Sequence, residues 1–385
     1  MSENEIGVKS EIKPLTRSSN YELLRIFAMF LIVSCHIVGH CIFRQWGATS
    51  DVLNFYTGLK VNQIFSALFV PAGDVGNSIF FILMGFFMVQ SSPKNHFVKI
   101  FRLFLQVVFY SAVGVLIFAS TYASGLYSYE KVGSIGDICK ILFQYLLPVT
   151  SGAWWFITSY IVIYFFSPYI SELVKKMNRK QFMIFLVVFY LINALRWTNH
   201  CRYNIFFVSL QRVLLGCYAG LYKDKLNRCE QGREILLLVL FGLSLSCISV
   251  YTKIQLGITD SIFQRFFLWA LNEVGRNLCI FTGYFIFRLF QSIEIKTNRV
   301  INSISKTTFA VYLFHGAPLT VYFLFDFVFD AGKLYKSPVF IPYFILVVVL
   351  IFAISSLLEF LRNLIPFEKI ENKIRSEWMT AKDYA

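Results

Sequence analysis

Arg25 and His36 stand inside one apolar run, YELLRIFAMFLIVSCHIVGHCIF (residues 21–43), where an ionisable side chain is costly and by default marks a polar cavity, a partner charge or a reaction site. At 100° per residue, the eleven-residue spacing returns a helix to within about 20° of its starting direction, so both side chains share one face about 16 Å apart. Histidine is the side chain whose ordinary pKa suits proton transfer near neutral pH. The duller readings are a histidine hydrogen-bonded between helices and an arginine anchored at the interface. His40 lies one turn beyond His36 on the same face, within reach of the same ligand. Elsewhere Glu273 and Arg276, three apart in one run, are expected to neutralise each other, with a pocket role as the lesser reading. Arg212 has no local partner and is a candidate to hold a carboxylate or a phosphate. His315 reads equally as structural or functional, and Trp154, Trp155, Tyr160 and Tyr164 as a sugar platform or an interfacial belt.

The elements that must position these residues are membrane helices. Of 385 residues 57% are hydrophobic and 15% charged, and apolar runs near span length recur throughout. The expectation is an all-α polytopic membrane protein with about ten transmembrane helices, over 21–43, 75–91, 101–123, 152–172, 181–197, 205–222, 234–252, 263–288, 307–329 and 338–361. With the N-terminus inside, the cytoplasmic segments carry 23 lysines and arginines against 10 on the other side. That asymmetry places both termini in the cytoplasm, and it explains the net charge of +14 without nucleic acid as a partner, because the charges are spread over many short loops. Residues 1–20 and 362–385 are expected as cytoplasmic tails around a membrane domain over 21–361, with no further domain appended. Ile365, Phe367, Ile370, Ile374 and Trp378 would let the C-terminal tail lie on the inner leaflet as an amphipathic helix. Residues 44–74 and 124–151 read as the long outer loops, the second containing KILFQYLLPV, a helical cap or re-entrant piece. The eight cysteines form no CxxC pair, so neither a disulfide framework nor a metal site is expected, and no glycine-rich phosphate loop is present.

Four stretches carry a resemblance. The arginine, ten residues, histidine sequence Arg25 to His36 resembles the first-helix signature of acyltransferase family 3, the membrane O-acyltransferases that modify bacterial surface polysaccharides. Ser78-Ile-Phe-Phe-Ile-Leu-Met-Gly85-Phe-Phe is similar to that family's FFFxLSGF segment, with Met84 where serine is common. Trp154-Trp155-Phe156-Ile157 leading to Tyr164 and Pro168, and Phe309-Ala-Val-Tyr312-Leu-Phe-His315, complete the set in family order. One departure is Lys99-Ile-Phe-Arg102, where the family usually carries RxxR; lysine keeps the charge and loses arginine's bidentate fork.

The resemblance implies transfer of an acyl group, most simply acetyl, from cytoplasmic acyl-CoA to a hydroxyl of an extracytoplasmic polysaccharide or lipid-linked glycan. The enzyme would be a multi-pass protein of the bacterial inner membrane. On that reading acetyl-CoA or another acyl-CoA is a co-substrate, no cofactor is held permanently, and lipids and the glycan are the other partners. His36 would be the general base, Arg25 its support or that of the thioester, and Arg102, Lys99 and Arg212 the holders of the CoA end. Trp155, His40, Glu273 and His315 would touch substrate. Two other classes compete: a transporter or flippase for a polysaccharide or lipid-linked sugar, and a sensor or scaffold that keeps the fold without the chemistry. A transporter is expected to show inverted repeats and matched broken helices, and no such pairing is legible.

Overall fold

The computed structural model describes residues 18–43, 52–91, 96–126, 132–152, 154–194, 204–222, 228–255, 262–318 and 320–365, with 52–54, 194, 204, 228–231, 248–255 and 262–273 described by backbone alone. Among them the chain is all-helical, with no strand. In chain order the helices are α1 (Ser19–Ile37), extended by a π-helical turn at Val38–Ile42, α2 (Val52–Thr57), α3 (Lys60–Phe69), α4 (Ala72–Met88), α5 (His96–Ala123), α6 (Ile135–Leu146), α7 (Trp155–Phe165) and α8 (Ser167–Lys175). Then come α9 (Arg179–Ala194), α10 (Asn204–Leu221), α11 (Arg228–Gln255), α12 (Ile262–Ser292), α13 (Arg299–Ser305) and α14 (Thr308–His315). The short α15 (Thr320–Tyr322) runs into a second π-helical turn, Phe323–Val328, and α16 (Phe340–Asn363) closes the series.

Helices fall on each of the ten apolar stretches, and length and composition qualify four single runs to cross a membrane, Ser19–Ile42, Lys60–Met88, His96–Ala123 and Phe340–Asn363. Two bent pairs raise the number to six: α7 with α8, kinked by 59° where Pro168 ends the first ladder, and Arg299–His315 with Thr320–Leu334, turned by 97°. α12 is long enough but carries Arg265, Glu273, Arg276 and Arg288 along its length, and it is not among the runs apolar enough to cross. The expected outer loop 44–74 is corrected, since α2 and α3 occupy much of it and α3 leads directly into α4. In 124–151 the expected helical piece is α6, opened by a capping box: the Asp137 amide donates to the Ser134 hydroxyl at 3.2 Å, and the Ser134 amide donates to the Asp137 carboxylate at 3.0 Å. The tails before residue 18 and after 365 lie outside the described residues, the amphipathic C-terminal stretch with them.

α4 is the hub, packed against α1, α10 and α12. Its contact with α10 depends on two glycines. A Cβ on Gly85 would lie 1.9 Å from the Val213 carbonyl oxygen, and one on Gly216 would lie 2.0 Å from that of Ile82, so the two backbones touch as small-residue membrane interfaces do. This contact gives the glycine of the FFILMGF segment a packing role. Met84, Leu83, Phe80 and Phe87 on the same helix are left free to line an internal cavity.

Candidate active site

Three of the chain's five histidines meet. The ring of His36 is 4.9 Å from that of His315 and 6.2 Å from that of His40, measured between centroids. His36 comes from α1, His40 from the π turn that extends it, and His315 from the last position of α14, where the chain makes its sharp bend. His40 is stacked on Phe325 at 5.6 Å and meets the edge of Tyr322 at 5.3 Å. The two π turns face each other here, and the Cys41 thiol ties them by donating to the Phe325 carbonyl at 3.3 Å. The described residues contain no group of His, Cys, Asp and Glu arranged to hold a metal ion.

His315 is wholly buried, and its Nδ1 lies 2.5 Å from the Val311 carbonyl oxygen. A carbonyl only accepts, so Nδ1 carries the proton and Nε2 keeps a bare lone pair. Tyr312, one turn earlier, stands 6.0 Å from the His315 ring and joins the cluster to the cavity.

The cavity encloses about 880 Å³ between α1, α4, α5, α7, α8 and α14. Its basic side chains gather where these helices begin or end, with the carboxylate of Glu172 among them: Arg25 in the second turn of α1, His96 and Lys99 at the start of α5, Lys175 at the end of α8, and Lys306 between α13 and α14. Beyond them the walls are aromatic and thioether-rich, with Phe80, Met84, Tyr160, Tyr164, Phe156 and Met29 before Tyr312. The lining on α1 stops at Met29, about 10 Å along the helix short of His36. One end of this space therefore gathers basic side chains, and Tyr312, which also lines it, stands beside the His315 ring.

Arg25 is held by Glu22, whose two carboxylate oxygens each accept from its guanidinium at 3.1 Å. Glu22 is 5% exposed and also accepts from the Ser305 hydroxyl at 2.5 Å, which ties α1 to α13. Its place three residues before Arg25 was a readable signal for this ion pair. Phe87 lies under the guanidinium at 5.8 Å.

Several of the expected site residues stand apart from the cavity. Arg102 lies outside the cavity while Lys99 lies within it, because His96, Lys99 and Leu103 follow one helical face and Arg102 is turned away from it. Arg212 is also outside: it is 2% exposed and pairs across the α4–α10 contact with Asp74 at 3.3 Å, a partner 138 positions away in the chain. Trp155 does not line the cavity, whereas Tyr160 and Tyr164 do; the buried indole is Trp154, edge-on to Tyr145 at 6.1 Å. His315, from the other end of the sequence, brings its ring beside that of His36. The side chain of Glu273 lies outside the described residues. Nothing local in the sequence distinguishes Lys175, Lys306 and His96 from loop charges, or Asp74 from the first turn of an ordinary helix.

No curated protein and no solved structure matches the chain. A family model described as an acyltransferase domain, that of acyltransferase family 3, matches residues 19–360, from the first described helix to the last turns of α16. The cavity and the histidine cluster both lie inside that match, and the chain belongs to acyltransferase family 3.

Proposed function

We propose that this acyltransferase takes an acyl group, most simply acetyl, from cytoplasmic acyl-CoA and passes it to a hydroxyl of an extracytoplasmic or lipid-linked glycan at the bacterial inner membrane. The observation that carries the reading is the polarity of the cavity: Arg25, Lys99, Lys175 and Lys306 at one end, apolar and aromatic walls between, and His36 with His315 beyond Tyr312 at the other. With the N-terminus cytoplasmic, as the lysine and arginine distribution demands, the cationic end faces the compartment that holds CoA. Phosphates at that end leave a long thin arm free to carry a thioester along the aromatic walls.

The chemistry is balanced around His36. Its bare ring nitrogen takes the proton of the acceptor hydroxyl as the oxygen attacks the thioester carbonyl. The carbon–sulfur bond breaks as the new ester forms, and the departing thiolate regains the proton from the imidazolium. Arg25 holds the donor end, with Glu22 fixing its direction. The test is ester-linked acetate on surface glycan in the native host. His36→Ala that still reaches the membrane should abolish the ester, and unchanged ester content would remove His36 from the mechanism. Purified protein should also gain thermal stability with CoA, which a cavity unrelated to CoA would not give.

A further inference from the structure

The mechanism leaves one buried group without a task. His315 has no exposed surface, its Nδ1–H is committed to the Val311 carbonyl, and its Nε2 has no hydrogen-bond partner among the described residues. A buried acceptor left unsatisfied costs stability, so a purely structural role accounts poorly for a histidine here. The groups around it are the rings of His36 at 4.9 Å, Tyr312 at 6.0 Å and Phe325 at 6.5 Å. Of these, His36 is the nearest and the only one with a ring N–H to give.

We propose that His315 is a positioning residue for acyl transfer: the two rings stand side by side with no hydrogen bond between them, and in the acyl-transfer complex the His315 Nε2 lone pair accepts the His36 ring N–H and so leaves the other His36 nitrogen unprotonated for the acceptor hydroxyl. The inference rests on His36 as the base. The acceptor's proton goes to that bare nitrogen and then to the departing thiolate, while His315 keeps its single proton on Nδ1 throughout. Its share in the reaction is to select a tautomer and an orientation and to hold the N–H of the imidazolium once it forms. Val311 takes the place of the last member of a hydrogen-bonded chain, and the α14 backbone fixes it. A wrong tautomer of a catalytic histidine costs turnover about 10,000-fold where a carboxylate is the orienting group; a neutral imidazole acceptor is weaker, and about 100-fold is expected here.

Two conservative variants separate positioning from packing. The side-chain amide introduced by His315→Gln can place an acceptor near the Nε2 position, whereas that of His315→Asn is too short and reaches only the Nδ1 position. Membrane vesicles from native-host strains carrying each variant would be supplied with radiolabelled acetyl-CoA and read for alkali-labile acetate on glycan, with the variant protein quantified in the membrane. His315→Asn should lower kcat about 100-fold with KM for acetyl-CoA unchanged, and His315→Gln should recover to within about tenfold of wild type. Equal activity of the two variants, whether high or low, overturns the proposal, as does a loss confined to KM. His36→Ala in the same vesicles distinguishes the two readings: an active His36→Ala removes the base itself, while an inactive one beside matched His315 variants removes only the positioning role.

Discussion

Gly85→Ala tests the packing that sets the cavity wall. The added Cβ would stand 1.9 Å from the Val213 carbonyl oxygen and 2.9 Å from the Cys217 nitrogen, backbone atoms that no change of rotamer can move. Relief requires α4 and α10 to part by about 1 Å, so that 1.9 Å becomes at least 3.0 Å. Overpacking in ordinary cores costs about 1–3 kcal/mol, and a clash against backbone should reach the top of that range or exceed it. Gly216→Ala meets the Ile82 carbonyl at 2.0 Å across the same contact and needs almost the same separation. One displacement therefore accommodates both methyl groups, and the double variant should cost about as much as either single one, well below the sum expected of independent sites. The same movement shifts Phe80, Leu83, Met84 and Phe87, and misplacing a catalytic environment by about 1 Å can cost about 100-fold in rate. Thermal unfolding in detergent would give the stability terms, and labelled acetate transfer in vesicles the rate. Additive destabilisation, or a Gly85→Ala protein that melts with wild type, would refute the backbone-contact argument.

Lys99→Met should raise KM for acetyl-CoA about tenfold, the loss of one charge-assisted contact, whereas Arg102→Met leaves it near wild type, because only Lys99 lines the cavity. Steady-state kinetics at two salt concentrations would check both, and equal effects would be contrary to the assigned faces. Arg212→Leu should destabilise the fold by about 2–3 kcal/mol, less than for a sealed pair because Asp74 stays half-exposed, without changing KM for acetyl-CoA in the folded fraction; urea or thermal unfolding with kinetics on the same preparation decides it. At α6 the Ser134 hydroxyl, helped by the Gly133 amide, holds the Asp137 carboxyl below its ordinary value. The cap therefore persists above the ordinary carboxylate range and fades as the pH falls through the depressed value; Ser134→Ala should move that fading upward, as read by amide exchange in the first turn of α6.

Much of this arrangement was legible because membrane helices declare themselves by length and apolarity. The ten stretches all carry helix, and the shared face of Arg25 and His36 follows from α-helical phase alone. The same phase argument, applied to His96, Lys99 and Leu103, would have separated Lys99 from Arg102. Long-range partners were another matter. Asp74 reaches Arg212, and Ser305 reaches Glu22, only after the helices pack, and no local pattern marks either pair. The meeting of His315 with His36 is hidden for a related reason: the packing of α14 and the bend after His315 set the level of that ring, and no local pattern encodes either. Trp154 is the N-cap of α7, with non-helical backbone, and Trp155 is its first helical residue, so the two neighbouring indoles leave the chain in different directions, which no composition argument resolves.

The paired π turns at Val38–Ile42 and Phe323–Val328 bear on how this site changes over time. A π turn takes in one residue more than an α turn before its hydrogen bond closes, so each behaves as a single-residue insertion stored within a helix. The two insertions face one another, bridged by the Cys41 thiol on the Phe325 carbonyl, with His40 stacked on the ring of Phe325. Deleting the extra residue from either segment would return that turn to α geometry, narrow it, and draw its facing side chains, His40 and Cys41 on one side or Phe325 on the other, away from the partner turn. The heritable unit here is the pair: relatives that keep the histidine cluster should hold both extra residues or neither, and sequence length in these two short segments should change together.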